Sequence, residues 1–385
     1  MKRFMVIAGE ASGDLLAAEL VMALKKVAVD TQPESQLEFF GAGGPAMQQA
    51  GVQLAFDMTA HAVVGLVEVI RNYAKFRRLF QQLLDLALSR KPDAIICVDF
   101  GGFNRRFAHA VREQSKGANW SPRLIQYVSP QVWASRPGRA QKMARDFDLL
   151  LTIFPFETEW YRKRLPDFHV EFVGHPIVDR YMNLRPDDKE VSRDSFPLIA
   201  LLPGSRLGEL ARHLPVMRDV IEQLAKRMKL RWRIVVPQAN LAETARRAFA
   251  GVVDGEVQVA DLANTLREAD LAIASTGTVT LECAWFGVPT VAIYKTSWGT
   301  YQVGKRIIHV RFLAMPNLLA DREIFPELIQ NAATGRQIAQ AVLGLWGDAE
   351  RRKSIQLQLR SVVDSLGSGG ASDRAAKAIF SLFPV

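Results

Sequence analysis

Four short polar segments of this 385-residue sequence combine carboxylates, hydroxyls, glycines and an arginine in patterns that could bind or transform a phosphorylated substrate. They are GEASGD at 9–14, DFGGFN at 99–104, PGSR at 203–206 and STGT at 275–278. Each follows a short apolar run that reads as a buried strand. In a parallel α/β sheet, ligands bind beyond the carboxyl ends of the strands. The sequence therefore predicts that these segments line small-molecule sites.

The segment PGSR predicts an anion site, because it joins an apolar strand pattern to an amphipathic helix pattern. Unpaired N–H groups and the helix dipole attract anions at a helix N-terminus. Gly204 and Ser205 bring backbone and hydroxyl donors there, and the planar guanidinium of Arg206 suits phosphate oxygens. The alternative is an ordinary strand–helix turn with a surface arginine.

The segment STGT predicts a second anion-binding turn. Ser275, Thr276, Gly277 and Thr278 bring small side chains and hydroxyls to another helix start. Glu282 lies one helical turn after Thr278, where its carboxylate could accept hydrogen bonds from a ribose diol. A helix cap followed by an ordinary glutamate is the alternative. Two such turns at neighbouring strand ends favour a site for a nucleoside diphosphate.

Asp99 is the candidate general base, because it ends the apolar strand AIICV and precedes two glycines. A carboxylate at a strand end between apolar residues can face a ligand site with a raised pKa, which suits proton abstraction. The alternative is a cap on the helix predicted over Asn104–Gln114.

The elements that must position these segments alternate between strand and helix, which predicts two doubly wound α/β domains with a helical C-terminal tail. We expect a first domain over 1–184, a polar linker over 185–196, a second domain over 197–345, and tail helices over 346–385 that could pack back on the first domain. Segment 9–14 is predicted as a loop before a helix at Leu15–Val27, and Glu323–Ile329 is predicted as a helix.

Composition narrows the functional classes. The net charge is +9 and the pI about 9.6, which favours an anionic partner. Cys97 and Cys283 lie in apolar segments, so we expect buried thiols in a reducing compartment. No apolar run is long enough to span a bilayer, and Glu10 and Asp14 interrupt any signal-peptide pattern.

Several motifs are missing from the sequence. There is no GxGxxG after the first strand and no GxxxxGK[ST], which argues against a dinucleotide dehydrogenase and a P-loop NTPase. There is no Asp-x-Asp or histidine cluster at a strand end, so no catalytic metal or other cofactor is expected.

Two basic, apolar stretches could contact a membrane. In Val63–Phe80 the cations Arg71, Lys75, Arg77 and Arg78 stand among apolar residues, as in an interfacial helix. The alternative is a helix with its apolar face on a sheet. Tyr294–Phe312 mixes aromatic and basic residues but has no nucleic-acid motif, so no nucleic-acid partner is expected.

Taken together, the motifs resemble those of lipid-A-disaccharide synthases over nearly the whole chain. In chain order they are GEASGD, VVGLVEVI, VDFGGFN, YVSPQVWA, IFPFE, FVGHPIVD, LLPGSRLGE, STGTVTLE, MPNLLADRE and GASDRAA. The resemblance implies a GT-B-like glycosyltransferase of family 19, with two Rossmann-like domains facing a cleft. It also implies a metal-independent, inverting transfer from UDP-2,3-diacylglucosamine to 2,3-diacylglucosamine 1-phosphate (lipid X), giving the β-1,6 disaccharide 1-phosphate and UDP. The protein would then be cytoplasmic and peripheral to the inner membrane, and a homodimer stays open.

The resemblance also implies roles for individual residues. Asp99 matches the general base, and Arg206 matches the arginine at the UDP phosphates. The diphosphate and ribose positions match Ser275, Thr276, Gly277, Thr278 and Glu282. Asn317 of MPNLLA matches a functional asparagine. The first-loop signature, with Glu10 as a catalytic candidate and sugar contacts beside it, matches Glu10, Ser12, Gly13 and Asp14. The family commonly has Ala-Pro-Asp where this chain has Phe100, Gly101 and Gly102.

Two rival readings remain from the sequence. One is another sugar-nucleotide enzyme on the same fold, such as a UDP-N-acetylglucosamine 2-epimerase or a peptidoglycan N-acetylglucosaminyltransferase. The other is a non-enzymatic nucleotide-binding protein at a membrane surface, which would bind UDP without turnover. Product analysis separates them.

Overall fold

The computed structural model describes residues 1–31, 36–59, 73–184 and 196–383. They form two compact units, Met1–Arg180 with Leu366–Val385 and Tyr181–Ser365. The predicted linker, 185–196, lies outside the described residues except for Phe196. The predicted tail is divided: its first helix groups with the second unit and its last helix with the first.

The first unit is built on a parallel sheet. Its strands are β1 Lys2–Ala8, β2 Leu37–Gly43, β3 Gln53–Asp57, β4 Ala94–Val98, β5 Arg123–Tyr127, β6 Leu149–Thr152 and β7 Val170–Phe172. Its helices are α1 Ala11–Thr31, α2 Pro45–Gln49, α3 Tyr73–Arg90, α4 Gly101–Ser115, α5 Val132–Ser135, α6 Arg139–Asp146, α7 Pro155–Arg162 and α8 Pro176–Tyr181, the last ending at the unit boundary. Across the described residues the strand order is β3-β2-β1-β4-β5-β6-β7, and neighbouring strands pair in parallel.

The second unit repeats this plan. Its strands are β8 Leu198–Leu202, β9 Arg231–Val236, β10 Gly255–Val259, β11 Leu271–Ser275, β12 Thr290–Tyr294 and β13 Glu327–Ile329. Its helices are α9 Leu207–Ala225, α10 Ala239–Ala248, α11 Leu262–Glu268, α12 Val279–Trp285, α13 Trp298–Ile307, α14 Met315–Ala320, α15 Gly335–Gly347 and α16 Ala349–Ser365, with a 3₁₀ turn at Met182–Leu184. Over the described residues the strand order is β10-β9-β8-β11-β12-β13, all parallel.

The central strands are apolar runs because helices cover both faces of each sheet. All five residues of β4 and of β8 are buried. In each unit the strand order reverses beside the first strand, between β1 and β4 and between β8 and β11. Such reversal points are where open α/β sheets bind ligands at their carboxyl edge.

The last helix, α17 Ala371–Phe380, packs on α1 of the first unit. The Asp179 carboxylate accepts hydrogen bonds from the N–H groups of Gly370 and Ala371 at its start. Arg374 donates to the carbonyl oxygen of Val173 at 2.8 Å, and the Phe380 ring contacts Phe4 of β1 edge-on. The segments GHPIVD and GASDRAA, nearly 200 residues apart in the sequence, therefore meet in the first unit.

Two predictions about local structure were wrong. Residues 327–329 form a strand that pairs with β12, rather than the end of a helix. A short segment such as ELI is compatible with either a helix or a strand. The open edge of β12 offers the backbone hydrogen bonds that make it a strand. The first helix begins at Ala11, so Ser12, Gly13 and Asp14 belong to its first turn rather than to a loop.

The basic stretch at 63–80 lies only partly within the described residues. Arg77 and Arg78 are exposed on α3, whereas Leu79 and Leu83 are buried. Positions 63–72 and the side chain of Lys75 lie outside the described part of the chain. In the ranges that the structure describes, no helix combines the length and apolarity needed to cross a bilayer.

Gly41 tests the close packing of β1 against β2. A Cβ atom at Gly41 would lie 1.9 Å from the carbonyl oxygen of Val6, and its φ of +151° disfavours other residues. We expect Gly41→Ala to destabilise the protein by about 1–3 kcal/mol or more, because backbone must shift. Thermal unfolding followed by circular dichroism measures this change.

The matched control is Gly344→Ala in α15, where a Cβ would meet nothing within 4 Å. Alanine is the better helix former, so this variant should gain roughly 0.5–1 kcal/mol. Equal effects of the two substitutions would contradict the described β1–β2 packing.

Candidate active site

Asp99 stands at the end of β4, where the strand order of the first sheet reverses. Asp99 and Phe100 both have left-handed backbone conformations, with φ of +50° and +43°. Such conformations cost non-glycine residues free energy and persist only where the surroundings impose them. This tight turn ends the strand and starts α4, so that Asp99 is half-buried at the sheet edge.

Two amide side chains hold this turn. The Nδ2 group of Asn104 donates to the carbonyl oxygen of Asp99 at 2.6 Å, and the Nε2 group of Gln126 donates to the same oxygen at 3.0 Å. Both side chains are buried. The acceptor is a backbone atom, so these bonds fix the conformation of the turn. We therefore describe Asn104 and Gln126 as positioning residues.

The first polar segment lies directly beside this turn. A Cβ atom at Gly9 would overlap the ring of Phe100 at 2.4 Å, and one at Gly13 would lie 3.5 Å from Cβ of Asp99. Glycine is required at 9 because the aromatic ring packs on the backbone there. The structure thus brings together GEASGD and DFGGFN, as expected of segments after neighbouring strands.

The side chains of the first segment differ in their surroundings. The carboxylate of Asp14 is buried and accepts from the N–H groups of Gly44, Ala46 and Met47 at 2.8–3.1 Å. These bonds stabilise the start of α2, and a contact of Asp14 with a sugar stays a prediction. Glu10 is half-buried and Ser12 is exposed, and their roles stay predictions.

Asp99 borders a cavity of about 340 Å³ in the first unit. Its walls come from the start of α4, the loop after β5, and the start of α6. The polar side chains in these walls are Asp99, Arg105, Gln131, Ser135, Arg136 and Arg139. A volume of this size falls in the range of small-molecule sites. Its lining joins one carboxylate to three guanidinium groups.

A buried glutamate, Glu157, anchors the segment that follows β5 through hydrogen bonds. The Oε1 atom of Glu157 accepts from the indole N–H of Trp133 at 2.9 Å, and Oε2 accepts from the N–H of Phe154 at 3.3 Å. Ser129 lies 3.1 Å from the hydroxyl of Tyr161. Burial raises the pKa of Glu157 to about 7, although the hydrogen bonds that its carboxylate accepts from Trp133 and Phe154 oppose the shift. The motifs YVSPQVWA and IFPFE therefore meet in one buried network.

In the second unit, PGSR forms the turn between β8 and α9. Gly204 has a φ of +115°, and Arg206 is the residue before the first helical position. The N–H group of Ser205 donates to Oε2 of Glu209 at 3.0 Å, and Arg206 lies 3.7 Å from Oε1 of the same carboxylate. A carboxylate is thus bound where the sequence predicts an anion.

His213 ties two strand ends together near this turn. Its Nδ1–H donates to the carbonyl oxygen of Pro203 at 2.7 Å, and its Nε2 accepts from the N–H of Lys295 at 3.1 Å. This pattern requires the neutral imidazole, and burial holds the pKa of His213 below its ordinary value. The ends of β8 and β12 are thereby fixed on either side of β11, which precedes STGT.

The STGT turn presents small residues at its surface. Ser275 is buried, whereas Gly277, with a φ of +140°, and Thr278 are exposed and Thr276 is half-buried. Further along α12, Oε1 of Glu282 accepts from the hydroxyl of Tyr181 at 2.9 Å. The structure therefore brings PGSR and STGT to the carboxyl ends of adjacent strands, while Glu282 is half-buried with a phenol on one oxygen.

Asn317, expected to be catalytic, is fully buried in α14. Its Oδ1 accepts from the N–H groups of Ile324 and Phe325, and its Nδ2 donates to the Phe325 carbonyl and to Glu327. Because both ends of the amide are occupied, Asn317 is placed to shape the backbone of 317–327. Its catalytic role stays a prediction from the resemblance.

Sequence reasoning missed Asn104, Gln126, Glu157 and His213. Asn104 and Glu157 lay inside quoted motifs, but nothing in their spacing showed what they bind. Gln126 is a polar residue in an otherwise apolar strand, and His213 is a lone histidine in an amphipathic helix pattern. A polar residue at a position that a strand or helix pattern buries is the signal that could have pointed to the last two.

The fold and these turns define a class of protein. The chain is similar to the calicheamicin glycosyltransferase CalG4, with a TM-score of 0.60, 13% identity and coverage of 99% of this chain and 98% of that one. It is also similar to the UDP-GlcNAc 2-epimerase from Neisseria meningitidis bound to UDP-GlcNAc, with a TM-score of 0.64, 11% identity and coverage of 99% and 100%. Two doubly wound units of this kind are the GT-B fold, as the sequence predicted.

Sequence comparison is more specific. Residues 4–379 match the family described as Lipid-A-disaccharide synthetase. The lipid-A-disaccharide synthase of Geobacter sulfurreducens is 36% identical over 384 residues, covering 97% of this chain and 95% of that protein. The chain belongs to the lipid-A-disaccharide synthase family, and it is therefore an enzyme of the glycosyltransferase class that acts on UDP-sugar and lipid substrates.

Among the described residues, no group of three or more His, Cys, Asp or Glu side chains could hold a metal ion.

Glu157 predicts a pH-dependent contribution to stability. Its folded pKa of about 7 exceeds the ordinary 4.5, so its contribution is full below pH 4.5 and is lost as the pH rises to about 7. We expect Glu157→Gln, which cannot ionise, to gain about 3 kcal/mol relative to the parent protein across that interval. Urea unfolding at pH 4.5, 6 and 7.5 measures the difference.

Glu159→Gln on the exposed face of α7 is the control. Its pKa is lowered by the hydrogen bond from Lys163, so its effect should have the opposite sign. A Glu157→Gln effect that does not change with pH would show that this carboxyl does not titrate in the interval.

Proposed function

We propose that the protein transfers 2,3-diacylglucosamine from its UDP derivative to the 6-hydroxyl group of 2,3-diacylglucosamine 1-phosphate with inversion. The products are the β-1,6-linked disaccharide 1-phosphate and UDP. Membership of the family supports the reaction class, and the two sets of strand-end residues support the assignment of roles. The observation that carries the proposal is Asp99, held by two buried amides at the edge of a cavity lined with arginines.

The first unit supplies the base in this proposal. The acceptor hydroxyl is a weak nucleophile until a base takes its proton, and we assign that step to the carboxylate of Asp99. The oxygen then attacks C1 of the donor sugar from the side opposite the diphosphate. The bond from C1 to the diphosphate oxygen breaks, and its electron pair leaves with UDP. A single displacement of this kind inverts the anomeric configuration.

The second unit binds UDP in this proposal. Arg206 and the Ser205 N–H group bind the diphosphate, which replaces the Glu209 carboxylate that now accepts from Ser205. The small residues of STGT let the diphosphate approach the backbone, and Glu282 accepts from the ribose. Fixed N–H dipoles and a guanidinium stabilise the charge that develops on the leaving group; loss of one such donor typically costs about 2.7–4 kcal/mol.

We further propose that the protein works at the cytoplasmic face of the inner membrane. Its diacylated substrates are lipids, and the net charge of +9 suits an anionic surface. Arg77 and Arg78 on the exposed face of α3 belong to the stretch that we assign to this contact. A homodimer is compatible with the proposal and is not needed for it.

Incubation with UDP-2,3-diacylglucosamine and lipid X tests the function. We expect mass spectrometry to detect the disaccharide 1-phosphate, and NMR of the product to show a β linkage. Formation of an epimerised UDP-sugar without disaccharide would favour the epimerase reading. UDP binding without any turnover would favour a binding protein.

Asp99→Asn tests the assignment of the base. The amide keeps the shape of the side chain but cannot take a proton, so we expect kcat to fall by about 10²–10⁴-fold with the fold intact. Steady-state kinetics and the circular dichroism spectrum provide the measurement. Near-normal turnover in the folded variant would remove Asp99 from the mechanism.

A further inference from the structure

The cavity beside Asp99 contains an unusual cluster of positive charge. Arg105 comes from α4, Arg136 from the loop after α5, and Arg139 from the first position of α6. Arg105 and Arg139 are half-buried and Arg136 is exposed. Three separate segments thus contribute arginines to the wall of the cavity that Asp99 also lines.

Some arginines of the first unit form ion pairs with carboxylates. Arg90 pairs with Glu38, and Arg112 pairs with Asp148. Across residues 1–31, 36–59, 73–184 and 196–383, no ion pair joins a carboxylate to Arg105, Arg136 or Arg139.

The charges of the cluster repel one another. The pKa of Arg139 is held below its ordinary value by burial and then by the guanidinium groups of Arg136, Arg105 and exposed Arg106. Like charges held together in a cavity destabilise the unliganded protein, and an anion relieves the repulsion. The cluster therefore has the electrostatics of a binding site rather than those of a structural ion-pair network.

We propose that Arg105, Arg136 and Arg139 bind the phosphomonoester of the acceptor, and so select a sugar 1-phosphate over an unphosphorylated sugar. This rests on the proposed function and names the group that the acceptor side recognises. A phosphomonoester carries nearly two negative charges and three acceptor oxygens, which match planar guanidinium forks from several directions.

The position of the cluster favours the acceptor phosphate over a phosphate of a membrane lipid. Asp99 lines the same cavity, so a ligand held by the arginines keeps its sugar hydroxyls close to the base. The hydrogen bond from the indole of Trp133 to the buried carboxylate of Glu157 also anchors the wall that carries Arg136. A rigid, concave site suits one oriented sugar phosphate better than a fluid lipid surface.

The first experiment measures binding alone. Isothermal titration of glucosamine 1-phosphate into the full protein should show that Arg105→Gln and Arg139→Gln each weaken binding about 10- to 100-fold, because each removes a charge-assisted hydrogen bond. The matched control is Arg106→Gln, an exposed neighbour on α4 outside the cavity wall, which should change affinity by far less. Equal losses in all three variants would overturn the site in favour of a diffuse basic field.

The second experiment measures selectivity. In neutral detergent micelles, the Arg variants should raise KM for lipid X by a similar factor while leaving KM for 2,3-diacylglucosamine without phosphate unchanged. A rise for both acceptors would overturn the proposal, since the arginines would then shape the cavity only. If the parent protein makes no disaccharide but binds glucosamine 1-phosphate through these arginines, the proposed function fails and the phosphate site stands.

A third arm separates the two sources of phosphate. Vesicles of phosphatidylcholine with phosphatidylglycerol should bind the Arg105→Gln variant as well as they bind the parent protein. Loss of vesicle binding together with unchanged affinity for glucosamine 1-phosphate would assign the cluster to the membrane and overturn the acceptor site.

Discussion

The carbonyl oxygen of Asp99 accepts two hydrogen bonds from buried amides, and the position of the candidate base depends on this contact. Two consecutive non-glycine residues in the left-handed region strain the backbone, and these hydrogen bonds stabilise that conformation at the end of the strand. With it, β4 turns sharply into α4, the ring of Phe100 packs on Gly9, and the candidate base stands where the sheet reverses its order. The side-chain oxygens Oδ1 of Asn104 and Oε1 of Gln126 are buried and have no hydrogen-bond partner among the described residues.

The second unit solves a related problem by different means. Its strand ends are aligned by the neutral ring of His213, which joins Pro203 to Lys295 across the position of β11. In both units a buried polar side chain forms hydrogen bonds with backbone atoms next to a glycine-containing turn. The groups assigned to chemistry, Asp99 and Arg206, thus lie at strand ends whose backbone is fixed by buried side chains.

The alternation of apolar runs and amphipathic patterns was enough to predict the two-unit α/β fold, and the predicted site segments lie at the carboxyl ends of the strands. The patterns could not show where a side chain reaches in three dimensions. Asp14 and Asn317 are polar residues in recognisable motifs, yet both are buried and bound to backbone N–H groups. Conversely, Arg105, Arg136 and Arg139 look like surface charges in the sequence, because their convergence depends on the packing of three separate elements.

The central claim is that the held turn at Asp99 makes it the base, and Asn104→Ala tests it most directly. Loss of one anchoring bond leaves the carboxylate in place chemically but lets it move, so kcat should fall by about 10²-fold with KM for both substrates nearly unchanged. Asn119→Ala, at an exposed position in the same unit, is the control. Unchanged kcat in a folded Asn104→Ala protein would contradict the account, because the turn would then position nothing that the reaction needs.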